Sequence, residues 1–311
     1  MINVESLSHS YDRARTVLDA VAFEVRAGSV TGLVGPNGAG KTTLMRAIAT
    51  LLRPRGGRVT VDGHDAVREP ERVRRALGFL PERATPYLEL TCAEHLEFFA
   101  RAAGVTAAER AARISRALEQ AGLRDRRDAP VKHLSKGLRQ RLALQATLIH
   151  GPRALVLDEP TDGLDPESRG EVLASIRELA RNGRAVLISS HVLSEIEAVA
   201  DDVVILIDGK RQDAAPQAKG APEFRIRLRD RADEAERMVS TLPAVAAVVR
   251  KNDALLVTLA IGVADPGDVA AAIVRAGFVL TTLEPVETTL ANTYRDVVAR
   301  SRNRGNGGLP S

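Results

Sequence analysis

The 311 residues carry 44 Lys and Arg against 40 Asp and Glu, a net charge of +4, and 44% of them are apolar. At roughly 100 to 200 residues per domain, that length predicts two domains with ample cores and excludes a peptide-sized fold. Aromatics at 3% with no Trp leave few platforms for stacked bases, the lone Cys92 excludes a disulfide within the chain, and no apolar run reaches the ~18 residues a membrane span needs.

Taken in chain order, the opening Met-Ile-Asn-Val-Glu lacks the basic and apolar character of a secretory leader, so a cytosolic, unprocessed chain is expected. From Val4 to Val25 apolar and polar residues alternate between turn-like breaks, as in half-buried strands. Val30 to Val34 reads as a short buried strand, a Gly-rich turn follows at once, and Lys41 to Leu52 has helical spacing until Arg53-Pro54 and Gly56-Gly57 interrupt it. Further strands are expected at Arg58 to Val61, Leu77 to Leu80, Ala154 to Leu157, Ala185 to Ser189 and Val203 to Ile207. Most are continuous apolar runs suited to burial on both faces. Helical stretches alternate with them after residue 90, which argues an α/β fold with a mostly parallel sheet.

Residues 84–150 read as a helical insertion, with helices at Glu94 to Ala103, Ala107 to Gln120 and Gly137 to Leu148 and no strand between them. Arg101 to Arg141 holds eleven basic and four acidic residues, a local net of +7, which leaves −3 for the rest of the chain. The basic surplus is therefore local, and it argues against a generally cationic surface for nucleic acid.

Ala214 to Pro222 is linker-like. Beyond it come a strand at Phe224 to Arg229, a helix at Asp233 to Leu242, strands at Val245 to Arg250 and Ala254 to Ala260, a helix capped by Asp265-Pro266, a strand at Phe278 to Leu283 and a last helix from Pro285. That β-α-β-β-α-β order is the order of a ferredoxin-like α+β unit. The expected organisation is an α/β domain over 1–219, an accessory domain over 220–300 and a disordered tail over 301–311.

The chemistry concentrates in the first domain. Gly35-Pro36-Asn37-Gly38-Ala39-Gly40-Lys41-Thr42 fits G-x-x-x-x-G-K-[ST] between an expected strand and an expected helix, the context of a P-loop. Its glycines let backbone N–H groups turn inward on phosphate oxygens, and the helix N-terminus adds its dipole. Lys41 reaches the terminal phosphates and the Thr42 hydroxyl can bind Mg²⁺, with Thr43 next in line at the nucleotide. Only six of the 44 basic residues are Lys, so a Lys at this position stands out against an Arg-rich background. Ala154 to Leu157 then leads into Asp158-Glu159-Pro160. Asp158 at the strand end can hold Mg²⁺ as a Walker B Asp does, and Glu159 is placed to accept a proton from an attacking water.

With these motifs in hand, residues 1 to about 210 resemble the ATP-binding cassette ATPases. Leu134-Ser135-Lys136-Gly137-Leu138-Arg139-Gln140 is similar to the family's Leu-Ser-Gly-Gly-Gln signature, and its Ser-Lys-Gly form resembles the ABC-2-type exporter branch. Thr161-Asp162-Gly163-Leu164-Asp165-Pro166 looks like the D-loop, and Ser189-Ser190-His191 like the switch motif. Leu77-Gly78-Phe79-Leu80-Pro81-Glu82 departs from the family at the Q-loop, with Glu82 where Gln is usual. A carboxylate oxygen there can still serve Mg²⁺ or water, with an added negative charge.

The resemblance implies a P-loop NTPase cassette with a helical subdomain that binds ATP and Mg²⁺. Tyr11 is expected against adenine, His191 as γ-phosphate sensor, Asp165 at a dimer contact, and Ser135 and Gly137 on the nucleotide of an opposite subunit. A second ATPase subunit, most simply in a homodimer, and a separate integral-membrane permease docked near Glu82 and the helical insertion are the implied partners. The chain would then lie peripherally on the inner face of the cell membrane. The other reading is a soluble cassette ATPase acting on nucleic acid or ribosomes. Its relatives carry two cassettes, a long coiled-coil insertion or zinc-binding cysteines, whereas this chain has one P-loop, 93 residues between Lys41 and Ser135, and one Cys. A nucleotide kinase would leave the Ser135 and His191 motifs unexplained. In the accessory domain, the expected strands Val245 to Arg250 and Ala254 to Ala260 offer no aromatic residue for RNA bases, so dimer contact or regulation is expected there.

Overall fold

The computed structural model describes residues 1–12, 15–83, 86–212, 223–229, 232–251, 254–260, 265–286, 290, 294–295 and 297–298. Contacts divide them into two compact units, the first within Met1–Asp213 and Val297–Ser311 and the second within Ala214–Asp296. The first unit begins β1 (Ile2–Ser10), β2 (Thr16–Val25), β3 (Val30–Val34), α1 (Lys41–Ile48), β4 (Gly56–Val61), β5 (His64–Asp65), α2 (Pro70–Ala76) and β6 (Leu77–Leu80). Helices α3 (Cys92–Ala102), α4 (Ala107–Gln120) and α5 (Lys136–Leu148) follow, then β7 (Ala154–Asp158), α6 (Pro166–Arg181), β8 (Ala185–Ser189), α7 (Leu193–Val199), β9 (Asp202–Ile207) and β10 (Lys210–Gln212).

Six strands form one sheet in the order β10-β9-β3-β8-β7-β6, parallel from β9 to β6 with β10 antiparallel at the edge. Strands β3, β7 and β8 are buried at every residue, as their unbroken apolar runs require. Arg58 to Val61 departs from the expected parallel set: β4 belongs to an antiparallel sheet ordered β2-β1-β4-β5. The reason is visible in its alternation, since Val59 and Val61 point into the core while Arg58 is exposed. Leu44, Met45 and Ile48 of α1 share one apolar core with Ile2, Val4 and Leu18 of the antiparallel sheet and Leu33, Val156 and Leu187 of the parallel one. That shared core fixes α1, and with it the loop that precedes it.

The helical segment has its own core, in which Leu96 of α3, Ile114 and Leu118 of α4 and Leu142 of α5 meet. Helix α3 starts two residues before the expected Glu94, because Thr91 and Glu94 form a reciprocal capping box that satisfies its first N–H groups.

The second unit runs β11 (Glu223–Leu228), α8 (Ala232–Ser240), β12 (Val245–Lys251), β13 (Ala254–Leu259), α9 (Pro266–Arg275) and β14 (Leu280–Val286). Its sheet is antiparallel in the order β12-β13-β11-β14, and Ile226, Val239, Leu255, Val257 and Ile273 form its core. The expected helix start at Pro285 is corrected: Pro285 lies in β14, paired with Phe224. A proline missing its N–H is tolerated there because β14 is an edge strand. The whole of the expected linker and the whole tail fall outside the described residues.

Candidate functional site

Strand order reverses at β3, whose neighbours are β9 and β8, and in open α/β sheets ligands bind at the carboxyl ends of strands beside such a reversal. The chain leaving β3 makes the Gly35 to Gly40 turn. Gly40 has φ +102°, and a Cβ there would stand 2.8 Å from the Val17 carbonyl oxygen, so the position admits only glycine. Helix α1 starts at Lys41, which is only 8% exposed and donates from Nζ to the Gly35 carbonyl at 2.7 Å and the Pro36 carbonyl at 3.4 Å. Tyr11 is 57% exposed, its hydroxyl lies 3.2 Å from Thr43 Oγ1, and its ring stands edge-on to His9 with centroids 4.9 Å apart. These residues border a cavity of about 830 Å³ whose wall includes Tyr11, Asn37 to Thr43, Glu82, Asp158, Glu159 and His191.

Opposite the loop, β7 and β8 run in parallel with Asp158 beside Ser189. Asp158 is 2% exposed, and its Oδ1 accepts from Ser189 Oγ at 2.6 Å while its buried Oδ2 has no hydrogen-bond partner. A buried carboxylate oxygen left without a donor is costly, and its chemistry is that of a ligand for a hard cation or the cation's water. Ser189 Oγ also accepts from the Glu159 N–H at 2.9 Å, so one hydroxyl ties both acidic residues to β8. Glu159 has φ +49°, a left-handed conformation rare for a non-glycine residue. That turn directs its carboxylate to His191: Oε2 accepts from the His191 N–H at 3.2 Å and lies 2.8 Å from Nδ1.

Gly35, Pro36, Ser135, Gly137 and Asp165 lie outside the cavity wall. Gly35 and Pro36 supply the carbonyls that hold Lys41. Ser135 caps α5, accepting from the Leu138 N–H at 3.3 Å, and Gly137 is so close to α6 that a Cβ would stand 2.6 Å from Ser168 Oγ. Gln140 of α5 donates to the Pro160 carbonyl at 2.7 Å, which joins the signature-like helix to the loop after β7. Asp165 caps α6, accepting from the Ser168 N–H at 3.0 Å, and that backbone hydrogen bond holds its carboxyl below the usual range. Asp12, Arg15, Thr16, Val17, Asp208 and Gly209 also line the wall without a mark in the sequence, Asp162 joins them from the D-loop-like run, and Ser189 has a double role that its motif did not show. Only the Ser-Ser-His run at a strand end offered a signal for that hydroxyl.

The fold and this cavity define a P-loop nucleotide-binding cassette. Residues 18–162 match the sequence profile described as ABC transporter. A relative described as an uncharacterised ABC transporter ATP-binding protein, YxlF of Bacillus subtilis (strain 168), is 33% identical over 300 residues, covering 96% of this chain and 99% of its own. The daunorubicin resistance ATP-binding protein DrrA3 of Streptomyces coeruleorubidus is 43% identical over 196 residues, 63% of this chain, but the match spans only 62% of that protein's length. A solved ATP-binding subunit of an ABC transporter superposes with a TM-score of 0.62 at 34% identity, over 68% of this chain and 88% of its own. The chain belongs to the ABC transporter family as an ATP-binding cassette.

Proposed function

We propose that the chain is the ATP-hydrolysing subunit of a transporter whose membrane-spanning part is a separate protein, working as an exporter. The observation that carries the reading is the convergence of Lys41, Asp158, Glu159 and His191 on one cavity. In this reading the P-loop N–H groups and Lys41 hold the phosphates of ATP, and Tyr11 faces the adenine. Glu159 orients the attacking water and accepts its proton. His191, held at 2.8 Å from Glu159, contacts the γ-phosphate and keeps the carboxylate aimed.

The wall also fits Mg²⁺. Thr42, Asp158 and Glu82 are oxygen donors, and the unpartnered Asp158 Oδ2 is the strongest reason to assign a cation to them. Among the described residues no three His, Cys, Asp or Glu side chains form a preformed cage, as expected of Mg²⁺ that shares its shell with substrate phosphates. The ion would neutralise charge on the phosphate oxygens.

Ser135 and Gly137 lie off their own chain's cavity. A homodimer in which they reach the nucleotide of the other subunit, with Asp165 at the contact, gives them a task that the monomer does not. The exporter reading rests on the Ser135-Lys136-Gly137 form of the signature and on the likeness to a drug-resistance subunit. No helix among the described residues is long and apolar enough to cross a membrane, and in this reading a second chain supplies the membrane span. The exposed Tyr87, Leu88 and Phe98, near Glu82 in the sequence, offer an apolar patch for a permease and would hold the chain at the inner face of the membrane. Residues 220–300 are assigned as a ferredoxin-like accessory domain, with the strand order 4-1-3-2 of that fold in support and dimer contact or regulation as its task. The tagged chain drawn from a membrane extract is expected to carry a multi-span membrane protein and to release phosphate from ATP. A preparation that holds such a protein but never hydrolyses ATP overturns the reading.

A further inference from the structure

We infer that Glu195 is a positioning residue for hydrolysis: its single carboxylate clamps together the two loops that carry Glu159 and His191. The inference rests on the ATPase reading above. Glu195 lies on α7, one helical turn after His191, and is 5% exposed. Its Oε2 accepts from Thr161 Oγ1 at 2.7 Å and from Ser190 Oγ at 2.6 Å, and its Oε1 lies 3.0 Å from Arg169 Nε. A carboxylate this deeply buried is retained only when its oxygens are paired, and here every partner comes from an element of the site. Thr161 is two residues past Glu159, Ser190 directly precedes His191, and Arg169 on α6, which meets Glu195 as an ion pair, donates from Nη2 to the Leu164 carbonyl at 3.2 Å. Ser190 Oγ in turn accepts from the Val192 N–H at 3.0 Å, so the clamp fixes the backbone on both sides of His191.

Glu195 is not on the cavity wall, so it acts through these loops and touches no substrate. Two hydroxyls donate to one of its oxygens, which sets the separation of the loops. The 2.8 Å contact between Glu159 and His191 is the distance that the clamp controls. Glutamine at this position keeps the volume and an acceptor for the hydroxyls. Its amide then turns a donor toward the guanidinium of Arg169, so the clamp loosens without leaving a void.

The test measures nucleotide binding, steady-state ATP hydrolysis and melting temperature for the wild type and for Glu195→Gln, Ser190→Ala and His191→Ala, singly and paired. Glu195→Gln is expected to bind ATP within about twofold of the wild type while kcat falls about tenfold, the scale set by a small misplacement of reacting groups. In the His191→Ala background the same change is expected to cost nothing further, because the contact it serves is gone. A kcat within about twofold of wild type, or a loss that adds fully to that of His191→Ala, overturns the inference. Should Glu195→Gln not fold, Ser190→Ala, which removes one donor to Glu195 together with the acceptor of the Val192 N–H, carries the same expectation on a smaller scale and the same refutation. Amide exchange separates this inference from the reading it rests on. Glu195→Gln is expected to speed exchange in both 159–164 and 190–192, and protection unchanged in both segments overturns the clamp whether or not the chain hydrolyses ATP.

Discussion

The Nδ1 of His191 and the Oε2 of Glu159 stand 2.8 Å apart, joined across two parallel strands by residues 32 positions apart in sequence. The contact exists because Glu159 adopts φ +49° immediately after β7, and the Ser189 hydroxyl anchors that turn. Strain of this kind costs on the order of 1–3 kcal/mol and persists where the surroundings over-determine it. Here it turns the carboxylate from the path of the strand toward the cavity.

Replacing that carboxylate is the most direct test of its role. Glu159→Gln keeps the size and the acceptor oxygen but removes the proton acceptor, so kcat is expected to fall by about 10² to 10⁴ with ATP affinity retained. The same variant with ATP is expected to run as a dimer in size-exclusion chromatography. A persistently monomeric, nucleotide-free product contradicts the sandwich-dimer reading.

Lys41 is buried and its Nζ fits between two carbonyls of its own loop, a space made for a compact ammonium. The planar guanidinium of Lys41→Arg does not fit that space, so charge alone is not expected to rescue the site. Both Lys41→Arg and Lys41→Ala are expected to weaken ATP binding about ten- to a hundredfold, the worth of ~1.5–3 kcal/mol for a hydrogen bond to a charged group. Titration with a fluorescent ATP analogue reads the effect, and binding by Lys41→Arg equal to wild type contradicts it.

Glu82 shares the cavity wall with Asp158 and Glu159, and Asp12, Asp162 and Asp208 border the same space, so the wall is rich in carboxylates. Glu82→Gln preserves an oxygen donor and removes one negative charge. The Mg²⁺ concentration for half-maximal hydrolysis is expected to rise several-fold. If Mg²⁺ dependence and permease-coupled rate are both unchanged, the extra charge has no mechanistic role.

How much of this was legible depended on sequence distance. Gly35 to Thr42 and Asp158-Glu159 were readable because each motif is contiguous and sits at the end of an apolar run that could only be a buried strand. Glu195 was not, because its partners Thr161 and Arg169 reach it only through the packing of α6 and α7 beside the β7–β8 pair, and a glutamate on a short amphipathic helix carries no local mark of burial. The order of strands could not be read either. Arg58 to Val61 was apolar enough to pass for a parallel strand, and only its alternation, one valine in and one arginine out, betrayed an antiparallel sheet. Pro285 misled in the opposite direction, since proline opens helices and also survives at sheet edges, and the difference lies in the neighbouring strand.

Gly137 illustrates a constraint of close approach. A methyl group there would stand 2.6 Å from Ser168 Oγ and 3.1 Å from its Cβ, so Gly137→Ala must displace the Ser168 hydroxyl and crowd its Cβ where α5 meets α6. Overpacking of this kind costs about 1–3 kcal/mol. The variant is expected to lose melting temperature and hydrolysis together, and Ser168→Gly in the same chain is expected to restore most of the melting temperature. Full additivity of the two changes contradicts the steric account.

His95 gives the helical segment a pH dependence. It is 2% exposed on α3, its ring lies 5.0 Å from that of Phe99, its Nδ1 has no hydrogen-bond partner, and burial lowers its pKa from 6.5 to about 4. The folded chain therefore holds His95 neutral where the unfolded chain protonates it. The stability this supplies is fully present above pH 6.5 and is lost as pH falls from 6.5 toward about 4. In that window the slope from this one group approaches ~1.4 kcal/mol per pH unit. Denaturant midpoints taken from pH 7 to pH 5 should fall for the wild type and fall less steeply for His95→Phe, which fills the same space without a titratable nitrogen. Helices α3, α4 and α5 share one core, so amide exchange should place the acid-sensitive opening there, ahead of the parallel sheet. Parallel pH profiles for the two proteins would assign the acid sensitivity to other groups.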